Sequence, residues 1–205
     1  MTVIEVFADI GCPFTHVGLR RFVQRRDEAG RTDLVLHVRA WPLEIVNGSP
    51  LDAAFIAEEI DSIRAQLGPD SFVGFDPAKF PHSTMAPLAL AASASAADLR
   101  TGEAVSLRLR DLLFEQGIDV SGRGVLEGLA AEHGLTVDLD DNEPVRAEHR
   151  LGVERGVIGS PHFFTPGGNY FCPALEVGRD EHGHLAVTAD PEGFDRFFDD
   201  CLRLP

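Results

Sequence analysis

The chain opens on a run of β-branched and aromatic side chains. Residues 2–8, Thr-Val-Ile-Glu-Val-Phe-Ala, predict a buried strand, which the polar and turn-forming Asp9-Ile10-Gly11-Cys12-Pro13 brings to an end. Over 14–29 the apolar residues Phe14, Val17, Leu19, Phe22 and Val23 recur at near-helical spacing, with Arg20, Arg21, Arg25 and Arg26 between them. Gly30 closes that helix, and residues 34–41 predict a second strand that Pro42 ends. Strand, helix and strand in so short a span make a βαβ unit, with parallel strands and a right-handed crossover.

The pattern then changes. Residues 51–67 carry helical periodicity, broken at Gly68-Pro69; 81–99 is alanine-rich and helix-favouring; 103–116 is amphipathic and stops at Gly117. Two more helices are predicted over 125–133 and 143–155, closed by Gly134 and Gly156. Strand signals return at Pro161-His162-Phe163-Phe164-Thr165, a turn at Pro166-Gly167-Gly168, and Asn169-Tyr170-Phe171-Cys172, which together predict a β-hairpin. A polar stretch with a possible turn at 181–184 follows. A terminal helix over 191–204 places Phe194, Phe197, Phe198, Cys201 and Leu202 on its apolar side. The order is βαβ, helices, ββα: one α/β domain over 1–205, with a core of 1–48 and 144–205 and an all-helical insertion over 49–143.

Composition narrows the partners. The formal net charge of −15 argues against nucleic acid or an anionic membrane surface, and the scattered charges read as a solvated surface. The first ten residues, MTVIEVFADI, show no basic leader, long apolar run or cleavage site, and no stretch approaches a membrane span. A cytoplasmic location is the expectation, and structural disulfides are rare there. The three cysteines, Cys12, Cys172 and Cys201, form neither a disulfide framework nor a zinc pattern, so no metal site is expected.

Cys12 carries the chemistry. It falls where the first strand ends and the first helix starts, where unpaired N–H groups and the helix dipole favour an anion. Such a thiol is expected to have its pKa lowered from about 8.5. Pro13 suits the first helical position, Phe14 supplies an apolar neighbour, and Thr15 can donate a hydroxyl hydrogen bond to the sulfur.

A strand, then Asp-x-Gly-Cys-Pro-Phe-Thr, then a helix resembles the active-site segment of the DsbA-like thioredoxin-fold family, which has Cys-Pro-x-Cys. The chain is most similar to its cytoplasmic FrnE-like branch, through Arg39-Ala40-Trp41-Pro42-Leu43-Glu44, Leu113-Phe114-Glu115-Gln116-Gly117-Ile118-Asp119-Val120-Ser121, and the turn Gly156-Val157-Ile158-Gly159-Ser160-Pro161. The resemblance implies a thioredoxin-like fold with a helical insertion. It also implies a cis proline at Pro161 facing Cys12, and a Ser160 backbone that pairs with an extended peptide or thiol ligand. Cys12 and Thr15 are then the catalytic candidates, and Pro13, Phe14, Ser160 and Pro161 the substrate-binding ones.

Thr15 stands where the family has its second cysteine. A lone thiol can only form a mixed disulfide that an external thiol resolves. Cys172 could substitute as the resolving cysteine, but at about 10 Å, if the hairpin forms as read, it lies beyond the roughly 7 Å limit for a disulfide and reads instead as an inert buried cysteine, while Cys201 reads as core. His16 reads as a surface residue of the first turn that could face the thiolate. His162 should point away from the site by strand alternation. His82-Ser83 could line a cleft, His133, His149, His182 and His184 read as exposed, and Trp41 reads as core or rim.

Three functions compete. The first is a monothiol oxidoreductase acting on protein or small-molecule disulfides through Cys12, with no tightly bound cofactor, a low-molecular-weight thiol as co-substrate, and room for a homodimer. The second is a glutathione-type transferase or isomerase, since kappa-class transferases and chromene-carboxylate isomerases resemble this architecture while typically carrying serine at the Cys12 position. The third is a non-catalytic peptide- or thiol-binding protein.

Overall fold

A computed structural model describes residues 1–179 and 185–203. Strand β1 (Thr2–Ala8) lies inside a four-stranded sheet of order β2-β1-β3-β4. It pairs in parallel with β2 (Leu34–Ala40), from Thr2 opposite Leu34 to Ala8 opposite Ala40. On its other edge it runs antiparallel to β3 (His162–Thr165), Val6 opposite Phe163. A tight turn at Pro166-Gly167 leads into β4 (Gly168–Phe171), with the Thr165 hydroxyl accepting the Gly167 and Gly168 N–H groups at 3.2 and 3.1 Å. This is the thioredoxin-like arrangement.

Both faces of β1 are covered, which is why its sequence is nearly all apolar. Successive side chains alternate between faces. Ile4, Val6 and Ala8 enter the main core, whereas Phe7 joins Trp41 and Val157 in a second, smaller one. Helix α1 (Pro13–Glu28) connects β1 to β2 and packs Phe22 against Phe197 and Phe198 of α8 (Pro191–Cys201). Between β2 and β3 the chain is helical: α2 (Leu43–Asn47), α3 (Ala53–Leu67), a 3₁₀ turn (Pro77–Lys79), α4 (Met85–Ala97), α5 (Leu99–Gln116), α6 (Arg123–Glu132) and α7 (Glu143–Glu154).

The departures from the sequence pattern have local causes. Asp98 ends α4 in an extended conformation, and its carboxylate accepts the Thr101 N–H, so α5 starts at Leu99 rather than near Glu103. Helix α2 is too short for its periodicity to show. The stretch after Cys172 contains a second two-stranded sheet, β5 (Leu175–Arg179) with β6 (Leu185–Ala189), where the sequence suggested only polar chain. The turn expected at 181–184, with His182 and His184, lies outside the described residues.

Gly117 ends α5 with φ +62°, and a Cβ there would stand 2.4 Å from the Gly74 carbonyl oxygen. That close approach seats the loop after α3 on the end of α5.

Candidate active site

Cys12 is the N-cap of α1, extended at φ −84°, with Pro13 opening the helix behind it. Its thiol does not cap the helix. The S–H donates instead to the Ser160 carbonyl at 3.2 Å, in the segment that leads into β3. The Ser160–Pro161 peptide is cis, and the Pro161 ring lies against α1 at Gly18. The Ser160 hydroxyl accepts the Asp9 N–H at 2.9 Å and lies 2.8 Å from the Thr15 hydroxyl. Cys12, Thr15 and Ser160 therefore meet at one point, flanked along the chain by Pro13 and Pro161. Phe14, a substrate-binding candidate from the sequence, is buried in the main core.

The site is closed. Cys12 is 4% exposed, and the Leu51 and Phe80 side chains crowd the neighbouring Gly11, each 3.0 Å from where a Cβ would stand. Burial pushes the Cys12 thiol up to about 11, assisted by the negative charge of Glu59 and opposed by hydrogen bonds from Thr15 and Ser160. The lowered pKa expected from the helix N-terminus is thus reversed: with water excluded, the desolvation of a thiolate outweighs the dipole.

Asp9 holds this loop together. Wholly buried, its carboxylate accepts the Gly11 N–H at 2.7 Å, the Leu43 N–H at 2.7 Å and the Thr84 hydroxyl at 3.0 Å. Burial raises its pKa against these donors and the charge of Arg110. Arg110, also wholly buried, donates to the Asp9 carbonyl at 3.0 Å and to the Ser106 carbonyl and hydroxyl, while its Nε has no partner. Burial lowers Arg110 to about 10, with Asp9 and Cys12 acting to raise it. One loop is thereby tied to α2, α4 and α5.

Glu59 is the other acidic group here. Ile56, Ile60 and Ile63 are the buried residues of α3, and Glu59 completes the same i, i+3, i+4, i+7 stripe. Burial raises its carboxyl to about 7, and its charge acts on both Cys12 and Cys172. The sequence reading gave Asp9, Arg110 and Glu59 no role. For Glu59 and Arg110 the available signal was a charged residue on a mostly apolar helical stripe, as with Ser106, Leu109, Arg110 and Leu113.

His16 is not on the surface. It is 2% exposed, lies between the rings of Phe72 and Phe114, and its Nε2 is 2.8 Å from Glu115. Burial pulls the imidazole down, so its neutral form donates Nε2–H to the carboxylate. Glu115 also accepts the Phe72 and Val73 N–H groups and pairs with Arg20 at 3.0 Å. Although burial opposes it, these partners hold Glu115 at about 2. His16 therefore anchors the loop after α3 and leaves the thiolate without an imidazole partner. A cleft of about 440 Å³ opens beside His16, Arg20 and Phe72, but Cys12 does not line it.

The remaining histidine candidates have other partners or face solvent. His162 is bound by the Ile158 N–H and by Asn169, and stacks on Phe164. His149 is half-buried against Trp41, not exposed as expected. His82 and His133 are exposed, and the Ser83 hydroxyl donates to Glu44 at 2.8 Å. Cys172 and Cys201 are buried free thiols. Among the described residues no group of three His, Cys, Asp or Glu is placed to hold a metal ion, and no helix is long and apolar enough to cross a membrane.

Known proteins match this arrangement. The family described as DSBA-like thioredoxin domain matches residues 3–180. The cytosolic disulfide reductase DsbM of Pseudomonas aeruginosa is 20% identical, with 99% of this chain and 100% of that one covered and a TM-score of 0.57; it has also been solved with GSH. A Streptomyces coelicolor protein described as a probable DsbA oxidoreductase is 18% identical, with 100% and 92% covered and a TM-score of 0.62. A 2-hydroxychromene-2-carboxylate isomerase is 13% identical, with 82% and 88% covered and a TM-score of 0.57. At these identities the structures share the fold. No curated protein matches by sequence.

Proposed function

We propose a Cys12-centred thiol–disulfide exchange for this chain, which belongs to the DSBA-like thioredoxin domain family. Within that oxidoreductase superfamily we read it as a cytoplasmic protein that acts on protein or small-molecule disulfides, with a low-molecular-weight thiol as co-substrate. Its thioredoxin core is 1–48 with 144–205, and 49–143 is the helical insertion. The observation that carries this reading is the Cys12 thiol at the N-terminus of α1, hydrogen-bonded to the Ser160 carbonyl.

The chemistry follows from that geometry. Substrate entry displaces Leu51 and Phe80 from above Gly11 and readmits water, which lowers the cost of the thiolate. The Ser160 carbonyl, released by the S–H, is then free to accept an N–H from a bound peptide or thiol ligand. Thiolate attack on a disulfide sulfur forms a mixed disulfide on Cys12, and the leaving thiol takes the proton. The Thr15 and Ser160 hydroxyls steady the anion at the start and end of the step.

The test is reaction of wild type and Cys12→Ser with oxidised glutathione, read as a glutathionyl adduct by intact mass. An adduct on wild type that Cys12→Ser lacks supports the reading, and an unmodified wild type overturns it. Thr15→Cys should gain insulin reduction, since it returns the second thiol to the first turn of α1.

A further inference from the structure

Cys172 is placed unlike an ordinary core cysteine. It follows β4 by one residue with φ +46°, a left-handed conformation that residues other than glycine seldom adopt and that recurs at functional positions. Its N–H donates to the Pro161 carbonyl at 3.0 Å, while the Cys12 S–H donates to the Ser160 carbonyl at 3.2 Å. The Cys12 thiol and the Cys172 main chain thus bind consecutive carbonyls of one short segment, the second bond continuing the β3–β4 ladder one step past His162 and Phe171. The Cys12 charge also reaches Cys172: burial first, then that charge, pushes the Cys172 thiol up to about 12. Cys201 differs, being raised by burial and by Asp200.

We propose that Cys172 is the resolving thiol for Cys12, in place of the cysteine that Thr15 replaces. This role rests on Cys12 being the attacking thiol. Cys12 first attacks a low-molecular-weight disulfide RSSR: the Cys12–SR bond forms, the S–S bond breaks, and the first RSH leaves with the Cys12 proton. The Cys172 sulfur then attacks the Cys12 sulfur. A Cys12–Cys172 disulfide forms, and the second RSH leaves with the Cys172 proton. Two protein thiols are oxidised and RSSR is reduced to two RSH. A dithiol, or two equivalents of a monothiol, reverses the change and resets the protein.

The surroundings suit such a step. Once Cys12 carries SR it bears no charge, so one of the causes that raise Cys172 is removed as its turn to react comes. Cys172 stands beyond the last β3–β4 pair, His162 with Phe171, in a turn where the Leu175 N–H meets the Cys172 carbonyl at 3.2 Å. Bringing the two Cα atoms within the roughly 7 Å a disulfide needs therefore moves a turn and not a strand. Cys172 also lines a surface cleft of about 360 Å³ with Phe171, Pro173 and Arg196, the route by which a reducing thiol would reach it.

The experiment treats the full chain with oxidised glutathione and follows intact mass and cysteine-peptide mapping over time, in wild type, Cys12→Ser, Cys172→Ser and Cys201→Ser. Wild type and Cys201→Ser should pass through a transient adduct to a species two hydrogens lighter, cross-linked between Cys12 and Cys172. Cys172→Ser should lose the cross-link and stop at the adduct on Cys12. Cys172→Ala, checked for folding by circular dichroism, should stop there too, which guards against poor tolerance of serine in the buried turn. A persistent adduct in wild type without the cross-link overturns the role of Cys172 and leaves Cys12 as a monothiol. Absence of any adduct in wild type and Cys172→Ser overturns the reading of Cys12 and this role with it.

Discussion

The Cys12 thiol donates its proton to the Ser160 carbonyl at 3.2 Å, from the cap of α1 to the residue just before Pro161. A thiol so engaged and so dry is a poor nucleophile until something relieves it. The Glu59 charge is one of the causes that keep it protonated, and that carboxyl titrates at about 7. Glu59→Gln should therefore lower the midpoint of pH-dependent alkylation of Cys12 by iodoacetamide and speed the reaction at neutral pH. An unchanged midpoint would show that the carboxylate does not act on the thiol.

Thr15 and Ser160 share a hydrogen bond of 2.8 Å between buried hydroxyls. Thr15→Val keeps the shape and removes the hydroxyl, leaving the Ser160 Oγ with only the Asp9 N–H. The expected loss is about 1–2 kcal/mol of unfolding free energy by urea titration, as for other buried hydrogen-bonding groups left short of a partner. The Cys12 thiol should rise further, because Thr15 is one of the groups that lower it. A variant as stable as wild type with the same alkylation midpoint would assign the threonine to packing alone.

The strands, the helix between them and the place of Cys12 were legible because local pattern decides them. Residues 2–8 are β1 to the residue, and Gly30, Gly134 and Gly156 each lie just past a helix end with positive φ. What the sequence hid was set by distant partners. The thiol's protonation depends on Leu51, Phe80 and Glu59 arriving from the helical segment, and no local motif carries that. From its place in the first turn of α1 His16 reads as a surface residue, yet Phe72, Phe114 and Glu115 bury it. The run from Leu113 to Ser121 has a physical reading only in three dimensions: Glu115 and Gly117 hold the loop after α3 against α1 and α5. β5 offers only Leu175 and Val177 as apolar positions, too few to stand out, and its pairing with β6 is what makes it a strand.

Asp9 accepts three hydrogen bonds, and each partner is a donor: the Gly11 and Leu43 N–H groups and the Thr84 hydroxyl. Asp9→Asn turns one acceptor oxygen into an NH₂ that must face a donor. With Arg110 buried nearby and its Nε already unpartnered, the loss should be about 2–4 kcal/mol by urea unfolding. The Gly11-Cys12 loop should also loosen, so that alkylation of Cys12 at fixed pH becomes faster even as the protein becomes less stable. A destabilised variant with slower alkylation would mean that Asp9 supports the thiol's reactivity instead of pinning the closed loop.

The buried thiols also fix a direction for stability at alkaline pH. Cys12 is held at about 11 and Cys172 at about 12, whereas a thiol in an unfolded chain titrates near 8.5. Below that value both states keep their protons, and the thiols contribute no pH dependence. Above it the unfolded chain gives up protons that the folded chain retains. The folded state then binds more protons than the unfolded one, so unfolding free energy falls as pH rises, by about 1.4 kcal/mol per pH unit for each such thiol. Urea unfolding at several values between about pH 8 and about pH 10.5 should show this decline. Cys12→Ser should show a shallower one, because serine does not titrate there. Every other titrating group is common to both proteins, so the difference between the two slopes isolates Cys12. Equal slopes would mean that the thiol is not held protonated by the fold, and that the closed site is open to water in solution.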